Sequence, residues 1–376
     1  MRKMASVQVI DQVIPIEGAD KICQYFVNGW KVIDLVGKYK KGDSVVFCEV
    51  DSWVPNTLAP FLSKGKTPRG YKGVPGERLK TIKMKGALSQ GLLLPVYHDG
   101  FGPYIMVLDD EDGEYSYTVE VGEDVSELLG IQKWEPADEF NAGNTKGNFP
   151  AFIQKTDQER VQNIYRNLEK LDHPEYFVVE EKAEGSSITC YLKLEEDQSY
   201  SFGVCSRNLE LKDDGNTFFE TAKKFKVEEK MRNIVAKMQH VAVLILQGEL
   251  IGPGIQGNIY DLVEHEIRFF DLSAQDKEAN LANNNGIEFC DPDTFHSIAD
   301  EFGLLTVPVV GLMHINTLKN MQLDDILNYA NATTQIGSKK HLREGVVFKL
   351  QDDCFGKAKR YSFKAISNEY LLKRGY

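Results

Sequence analysis

Glu180-Glu181-Lys182-Ala183-Glu184-Gly185-Ser186-Ser187 is a charged bend, bearing one glycine, between two apolar runs. Phe177, Val178 and Val179 precede it, and Ile188, Cys190 and Leu192 follow in alternation. Alternation on the far side and a short apolar run on the near side predict a strand on each flank. A lysine held between buried strands and beside carboxylates is a candidate nucleophile. The remaining chain divides into what precedes this lysine and what folds around it.

A chain of 376 residues is long for a single core, so two domains are expected. A hydrophobic content of 42% suits a globular protein, and the mixture of charges argues against general disorder. The net charge of -12 excludes a uniformly basic nucleic-acid coat but leaves room for a local basic groove. Cys23, Cys48, Cys190, Cys205, Cys290 and Cys354 form no close CxxC pair, which argues against a zinc cluster or a disulfide framework. Reduced cysteines and the lack of a long apolar run lead to the expectation of an intracellular, cytoplasmic chain (host cytoplasm if viral) with no membrane partner.

The first hundred residues read as short strands: Met4 to Val13, Phe26 to Val36, Ser44 to Glu49, and Ser89 to Pro95. With no convincing long helix among them, a small β-barrel is expected. Phe61 to Glu77 reads as an exposed loop carrying Lys64, Lys66, Arg69 and Lys72, and Arg78, Lys80, Lys83 and Lys85 extend its charge. This basic segment fits either a phosphate track or an ordinary solvated loop. Residues 109–124 are acidic and lack periodicity, and residues 136–150, rich in Asn, Gly and Pro, read as a linker. Helical spacing follows from Thr156 to Leu171, with Thr156 as cap and Glu159 three residues on, and again over Phe218 to Met238, Thr294 to Phe302 and Leu323 to Ala332. Strands are expected at Val241 to Leu246, Glu266 to Leu272, Thr306 to Leu312, Glu344 to Leu350 and Tyr361 to Ile366. Gly252-Pro253-Gly254-Ile255-Gln256-Gly257-Asn258 is a glycine-rich loop without the GK[ST] of a Walker phosphate loop. Interleaved helices and strands imply an α+β domain.

The ordered motifs resemble ATP-dependent RNA ligases of the covalent nucleotidyltransferase superfamily. Lys182-Ala183-Glu184-Gly185 is similar to the adenylation motif KxDG, with glutamate at the aspartate position. Ser206-Arg207-Asn208 resembles the next nucleotide-contact motif, and Phe269-Phe270-Asp271 the aromatic one. Glu344-Gly345-Val346-Val347-Phe348-Lys349 matches EGxVxK, and Ser362-Phe363-Lys364-Ala365-Ile366 resembles the fifth motif. Gly248-Glu249 and the 252–258 loop are also like RNA-ligase sequence. The resemblance implies an α+β chain in which an N-terminal OB-like β-barrel precedes a mixed α/β nucleotidyltransferase (ATP-grasp-like ligase) domain. The expected division is an OB-like RNA-binding domain over 1–135, a linker over 136–150 and a catalytic domain over 151–376. An accessory domain after the fifth motif is not expected, since only Ser367 to Tyr376 follows Ile366.

The resemblance also implies roles. Lys182 is the expected nucleophile, attacking ATP to give lysyl-AMP, with Glu344 and Lys364 as its catalytic partners. Glu184, Arg207, Glu249, Phe270, Glu344, Lys349 and Lys364 join it around the nucleotide: Arg207 on ribose or a 5'-phosphate, Glu249 on a ribose hydroxyl, Phe270 stacked on adenine, Lys349 and Lys364 on the triphosphate. Glu184, Glu249 and Glu344 are the expected carboxylates for Mg2+ or Mn2+. Alternation alone also permits Lys349 to face outward, and Phe270 to be core with Phe269 at the base. Ser362 stands where the family often has a second basic residue, and Arg360 is the candidate to compensate. The expected partner is RNA with 3'-hydroxyl and 5'-phosphate ends, a nicked duplex among the possible forms, acted on by a monomer. A GTP-dependent capping guanylyltransferase and a non-catalytic RNA-binding scaffold are the alternatives.

Overall fold

The computed structural model describes residues 2–109, 113–136, 143, 145–171, 176–238, 240–277, 286–338, 340–351 and 361–375. Two compact units divide at 136/137, Leu371–Tyr376 grouping with the first. The N-terminal unit starts with β1 (Ala5–Pro15), β2 (Ile22–Val27), β3 (Trp30–Leu35) and β4 (Ser44–Cys48). Then come β5 (Ser52–Pro55), β6 (Arg69–Tyr71), β7 (Val74–Arg78), β8 (Thr81–Met84), β9 (Ala87–Gln90) and β10 (Leu92–Pro95). β11 (Tyr97–Asp99), β12 (Gly102–Asp109), β13 (Gly113–Thr118) and β14 (Gln132–Lys133) complete it. The main sheet runs β10-β4-β1-β2-β3. β1 is shared: its first half pairs with β4 and its second with β2, either side of an irregularity between Ile10 and Gln12. Such a bend lets one long strand turn a barrel corner. Tyr25, Trp30, Val32, Val45, Phe47 and Leu93 fill one core, and Val7, Val46, Cys48, Ile105 and Val119 belong to another.

The basic segment contains more order than a loop. Three-residue β6 pairs with β7, and β8 with β9. Glycine, proline and short length hid these hairpins from a periodicity argument. The acidic stretch after 109 likewise contains β13, exposed along its length and paired to β12.

The second unit holds β15 (Thr145–Asn148), β16 (Glu159–Arg160), α1 (Val161–Leu168), β17 (Tyr176–Lys182), β18 (Ser186–Leu194), β19 (Tyr200–Cys205) and β20 (Leu209–Leu211). After them come α2 (Thr217–Lys224), α3 (Val227–Met238), β21 (Val241–Ile251), β22 (Glu266–Asp276), β23 (Ile287–Phe289), α4 (Pro292–Phe302) and β24 (Val309–His314). The last elements are α5 (Ile315–Asn320), α6 (Leu323–Ala330), β25 (Gly345–Leu350) and β26 (Ser362–Ile366); α7 (Asn368–Arg374) begins in this unit, and its residues from Leu371 group with the first. They build a seven-stranded sheet, β15-β20-β19-β18-β21-β22-β23, and a five-stranded one, β16-β26-β25-β17-β24. α2, α3 and α4 cover the first sheet through Phe218, Met231, Ile234 and Phe295, and α1, α5 and α6 cover the second through Leu168, Leu318 and Ile326.

Three local expectations change. Thr145–Asn148, within the expected linker, forms an edge strand against β20. The helix expected from Thr156 starts at Val161, because Glu159 and Arg160 pair in parallel with Phe363 and Lys364; Arg160, without a side-chain cap bond, is its N-cap. The helix expected over Phe218 to Met238 is broken at Lys226, whose φ of 52° ends one helix before the next. The rest of the two-sheet frame follows the apolar runs in sequence.

Candidate active site

Lys182 ends β17 in the five-stranded sheet, and Ser186 begins β18 in the seven-stranded one. Ala183 to Gly185 carries the chain from one sheet to the other, so the charged bend lies at their junction. A Cβ on Gly185 would stand 2.5 Å from the Leu250 carbonyl oxygen and 3.2 Å from Glu249 Cβ. The glycine is therefore a condition for β21 to pass close by and bring Glu249 to the bend. Gly345 plays the same part opposite Lys182, its absent Cβ leaving room for the Ala365 carbonyl.

Strand register collects the cations. Lys182 lies opposite Gly345, Val178 opposite Lys349, and Val347 opposite Lys364. Residues directly opposite share a sheet face, as do alternate residues on one strand. Glu180, Lys182, Lys349 and Lys364 thus belong to one face of the five-stranded sheet. Lys182 Nζ donates a 2.7 Å hydrogen bond to Glu344 Oε2, and both side chains are only partly exposed. Burial works against the Lys182 charge, but Glu344, Glu249 and Glu184 outweigh it and hold the ammonium above its ordinary range. Ion pairing with Glu344 thus favours the protonated amine at neutral pH.

Glu249 is the counterpart. Burial, resisted by Lys182 and Arg207 and reinforced by Glu344, pushes its carboxyl up to about 7. Its Oε2 is buried and has no hydrogen-bond partner among the described residues. Glu184 is buried, and its backbone N–H donates to the Tyr260 hydroxyl at 2.6 Å. Tyr260 follows the 252–258 loop, whose turns are closed by Ile255 N–H on Gly252 O and Asn258 N–H on Ile255 O. The sequence exposed that loop through its glycines, but nothing in it marked Tyr260 as the residue delivered.

The aromatic pair divides between core and surface. Phe269 is buried in the core and Phe270 is half-buried. Gln247 lies opposite Asp271 and Gly248 opposite Phe269, so Phe270 is the extra residue of a bulge. A bulge re-aims one side chain without disturbing the alternation beyond it.

Lys349 departs from expectation. It is 1% exposed, and its ammonium reaches Glu180 at 2.6 Å, Asp271 at 3.0 Å and the Phe270 carbonyl. These three acceptors use all three ammonium donors, leaving none for a triphosphate. Its role is to neutralise two buried carboxylates and fix the Phe270 backbone. His296 of α4 joins the same cluster, 3.0 Å from Glu180. Glu180 and His296 carried no motif signal.

Arg207 sits in the turn between β19 and β20, where Ser206 N–H bonds to Leu209 O. Arg207 and Lys364 both lie 3.8 Å from Asp157, one on each carboxylate oxygen. Asp157 thus links two cations that sequence had assigned to phosphate. Within Thr156 to Leu171, read as a helix, it carried no such signal. Arg360 lies outside the described residues. Among the described residues, no group of three or more His, Cys, Asp or Glu side chains is arranged to hold a metal ion unaided. No described helix is long and apolar enough to cross a membrane.

A family model described as RNA ligase matches residues 175–366, and one described as an OB-fold domain matches residues 4–96. No curated protein matches the chain. Solved structures of Naegleria gruberi RNA ligase are similar over nearly its full length. An apo lysine-to-alanine mutant is 33% identical with a TM-score of 0.77, covering 99% of this chain and 98% of that one. A lysine-to-alanine mutant with ATP and Mn is 33% identical, with a TM-score of 0.76 and 98% of each chain covered. A glutamate-to-alanine mutant with AMP and Mn is 34% identical, again with a TM-score of 0.76 and 98% of each chain covered. With the lysine-bearing bend, the two sheets and the N-terminal barrel all in the matched regions, this chain belongs to the RNA ligase family.

Proposed function

We propose that this enzyme joins RNA 3'-hydroxyl and 5'-phosphate ends with ATP, through lysyl-AMP and RNA-adenylate. The observation that carries the assignment is Lys182 at the junction of two sheets, hydrogen-bonded to Glu344 and within the field of Glu249 and Glu184. In the first step neutral Lys182 Nζ attacks the α-phosphorus of ATP. An N–P bond forms, the bond to the bridging oxygen breaks, and pyrophosphate leaves with the electron pair. An oxygen of the RNA 5'-phosphate then attacks the same phosphorus; a P–O bond forms, the N–P bond breaks with its electron pair returning to the Lys182 nitrogen, and RNA-adenylate results. Finally the RNA 3'-hydroxyl oxygen, losing its proton, attacks the 5'-phosphorus; the phosphodiester forms and AMP departs.

The chain's residues take roles that fit these steps. Glu344 accepts the Lys182 hydrogen bond and holds the amine in place. Phe270, freed from the core by its bulge, offers a face to adenine. Arg207 and Lys364, now drawn to Asp157, are placed to hold phosphate oxygens in its stead. Glu249 and Glu184 fit ribose or metal-water contacts.

Glu344 and Glu249, with Glu184 beside them, would hold a divalent cation. The buried, unpartnered Glu249 Oε2 is the sign that these donors fit Mg2+ or Mn2+, which bind through one or two carboxylates, waters and substrate phosphate. Bound there, the ion would polarise phosphate oxygens and favour the neutral amine.

Incubation with radiolabelled ATP followed by denaturing electrophoresis tests the reading. The wild type should carry a covalent AMP label, and folded Lys182→Ala none; label retained on Lys182→Ala overturns the nucleophile. Labelling by GTP in preference to ATP would move the chain to capping chemistry. A nicked RNA duplex is the first sealing substrate to try.

A further inference from the structure

Residues 49–91 join β4 to β10, yet those strands lie side by side and antiparallel, with Leu92 opposite Cys48. Such neighbours need only a two-residue hairpin. The excursion, which carries β5 to β9, is therefore unnecessary for closing the sheet. Between Phe61 and Gln90 it carries eight lysines and arginines against one carboxylate, Glu77, in a chain of net charge -12. Glu77 neutralises Arg69, and Asp51 pairs with Arg78 at 2.6 Å. Lys64, Lys66, Lys72, Lys80, Lys83 and Lys85 are exposed, and none is ion-paired among the described residues. Partial desolvation of its ammonium and the nearby Arg78 and Arg69 charges hold Lys80 below its ordinary range, although the residue as a whole is exposed.

The turns supply a second observation. Lys72-Gly73 caps the β6–β7 hairpin and Lys85-Gly86 the β8–β9 hairpin, each a two-residue loop. Lys72 and Lys85 hold φ of 47° and 48°, the left-handed region, where asparagine or glycine fits better; Lys72 Nζ also lies over the Tyr71 ring, 5.2 Å from its centre. The same unit uses that better solution in another two-residue hairpin: Asn28-Gly29 joins β2 to β3 with φ of 45° and 80°. Both basic hairpins thus place an ammonium at a strained tip where an uncharged residue would turn more easily.

We propose that the Lys64–Lys85 surface of this insertion is a binding site for the sugar-phosphate backbone of RNA, reading charge and not base sequence. The proposal rests on the RNA-ligase reading. Counterion release makes it measurable: each phosphate contact contributes about 0.9 to the slope of log affinity against log salt on a duplex. The experiment titrates a nicked RNA duplex with full-length protein at several salt concentrations. Lys72→Asn/Lys80→Gln/Lys83→Gln/Lys85→Asn should reduce the slope by about three to four and weaken binding at least tenfold at moderate salt. The tip asparagines suit the turns, so thermal stability should not fall. Lys40→Gln/Lys41→Gln, exposed lysines on another turn of the same unit, should leave the slope unchanged. An unchanged slope in the quadruple variant, or an equal drop in the Lys40/Lys41 variant, overturns the site. Failure of the enzyme reading shows separately, as absence of the covalent AMP label on wild-type protein; the quadruple variant should label normally.

Discussion

At Glu249 the cost of burial shows most directly. An ordinary glutamate ionises near pH 4.3, but here burial pushes the carboxyl up to about 7. The folded state therefore holds this proton more tightly than the unfolded chain does. Its stabilising contribution is complete below about pH 4.3 and is lost as pH rises to about 7, after which both states are ionised. Glu249→Gln removes that loss. In metal-free buffer its unfolding free energy should match wild type near pH 4 and exceed it by a growing margin up to pH 7, by about 1–3 kcal/mol. A constant difference across that range would refute the assignment. Residues of this kind were legible because they sit inside ordered local motifs: Lys182, Glu344 and Phe270 each stand beside a glycine or an aromatic partner in sequence. Asp157, Tyr260 and His296 were not. His296 meets Glu180 across 116 residues, and Tyr260 meets Glu184 across 76, so only the fold brings them together.

The elements around the site are tied by buried charge. Lys349 of β25 joins Glu180 of β17 to Asp271 of β22, linking the two sheets, and His296 extends the link to α4. All three members of the central triad are nearly fully buried. Removing only the cation strands two carboxylates in a dry interior, which typically costs about 3–5 kcal/mol. Lys349→Met should therefore lower the unfolding free energy from urea titration by that amount, and adding Asp271→Asn should restore part of it. No recovery in the double variant would show that the triad is not coupled. These strands were legible because apolar runs such as Val241 to Leu246 announce buried β-structure. The link between them was not: alternation places Lys349 on a face but does not say that the face is covered. The short hairpins of the insertion failed for the opposite reason, having too few apolar positions to show any period.

For the whole molecule, the question is whether the two units unfold together. The cores of the first draw on residues between Met4 and Ile131, and those of the second on residues between Ile153 and Ala365. Separate cores of this size support separate transitions. The tryptophans provide a way to see it, since Trp30, Trp53 and Trp134 all belong to the first unit and Lys182 to the second. Phe47 packs against Trp30 with ring centres 5.7 Å apart and is 2% exposed. Phe47→Ala should cost the first unit about 3–5 kcal/mol. For a unit of this size that corresponds to a fall on the order of 10 °C in the tryptophan-fluorescence midpoint. The temperature at which covalent AMP labelling is lost should stay where it is in wild type, because no core residue of the second unit has been touched. If labelling is lost in step with fluorescence, the units fold as one cooperative body, and the first contributes to the nucleotide reaction as well as to holding RNA. Fluorescence shifting alone would confine the first unit's part to the steps after lysyl-AMP, where the polynucleotide enters.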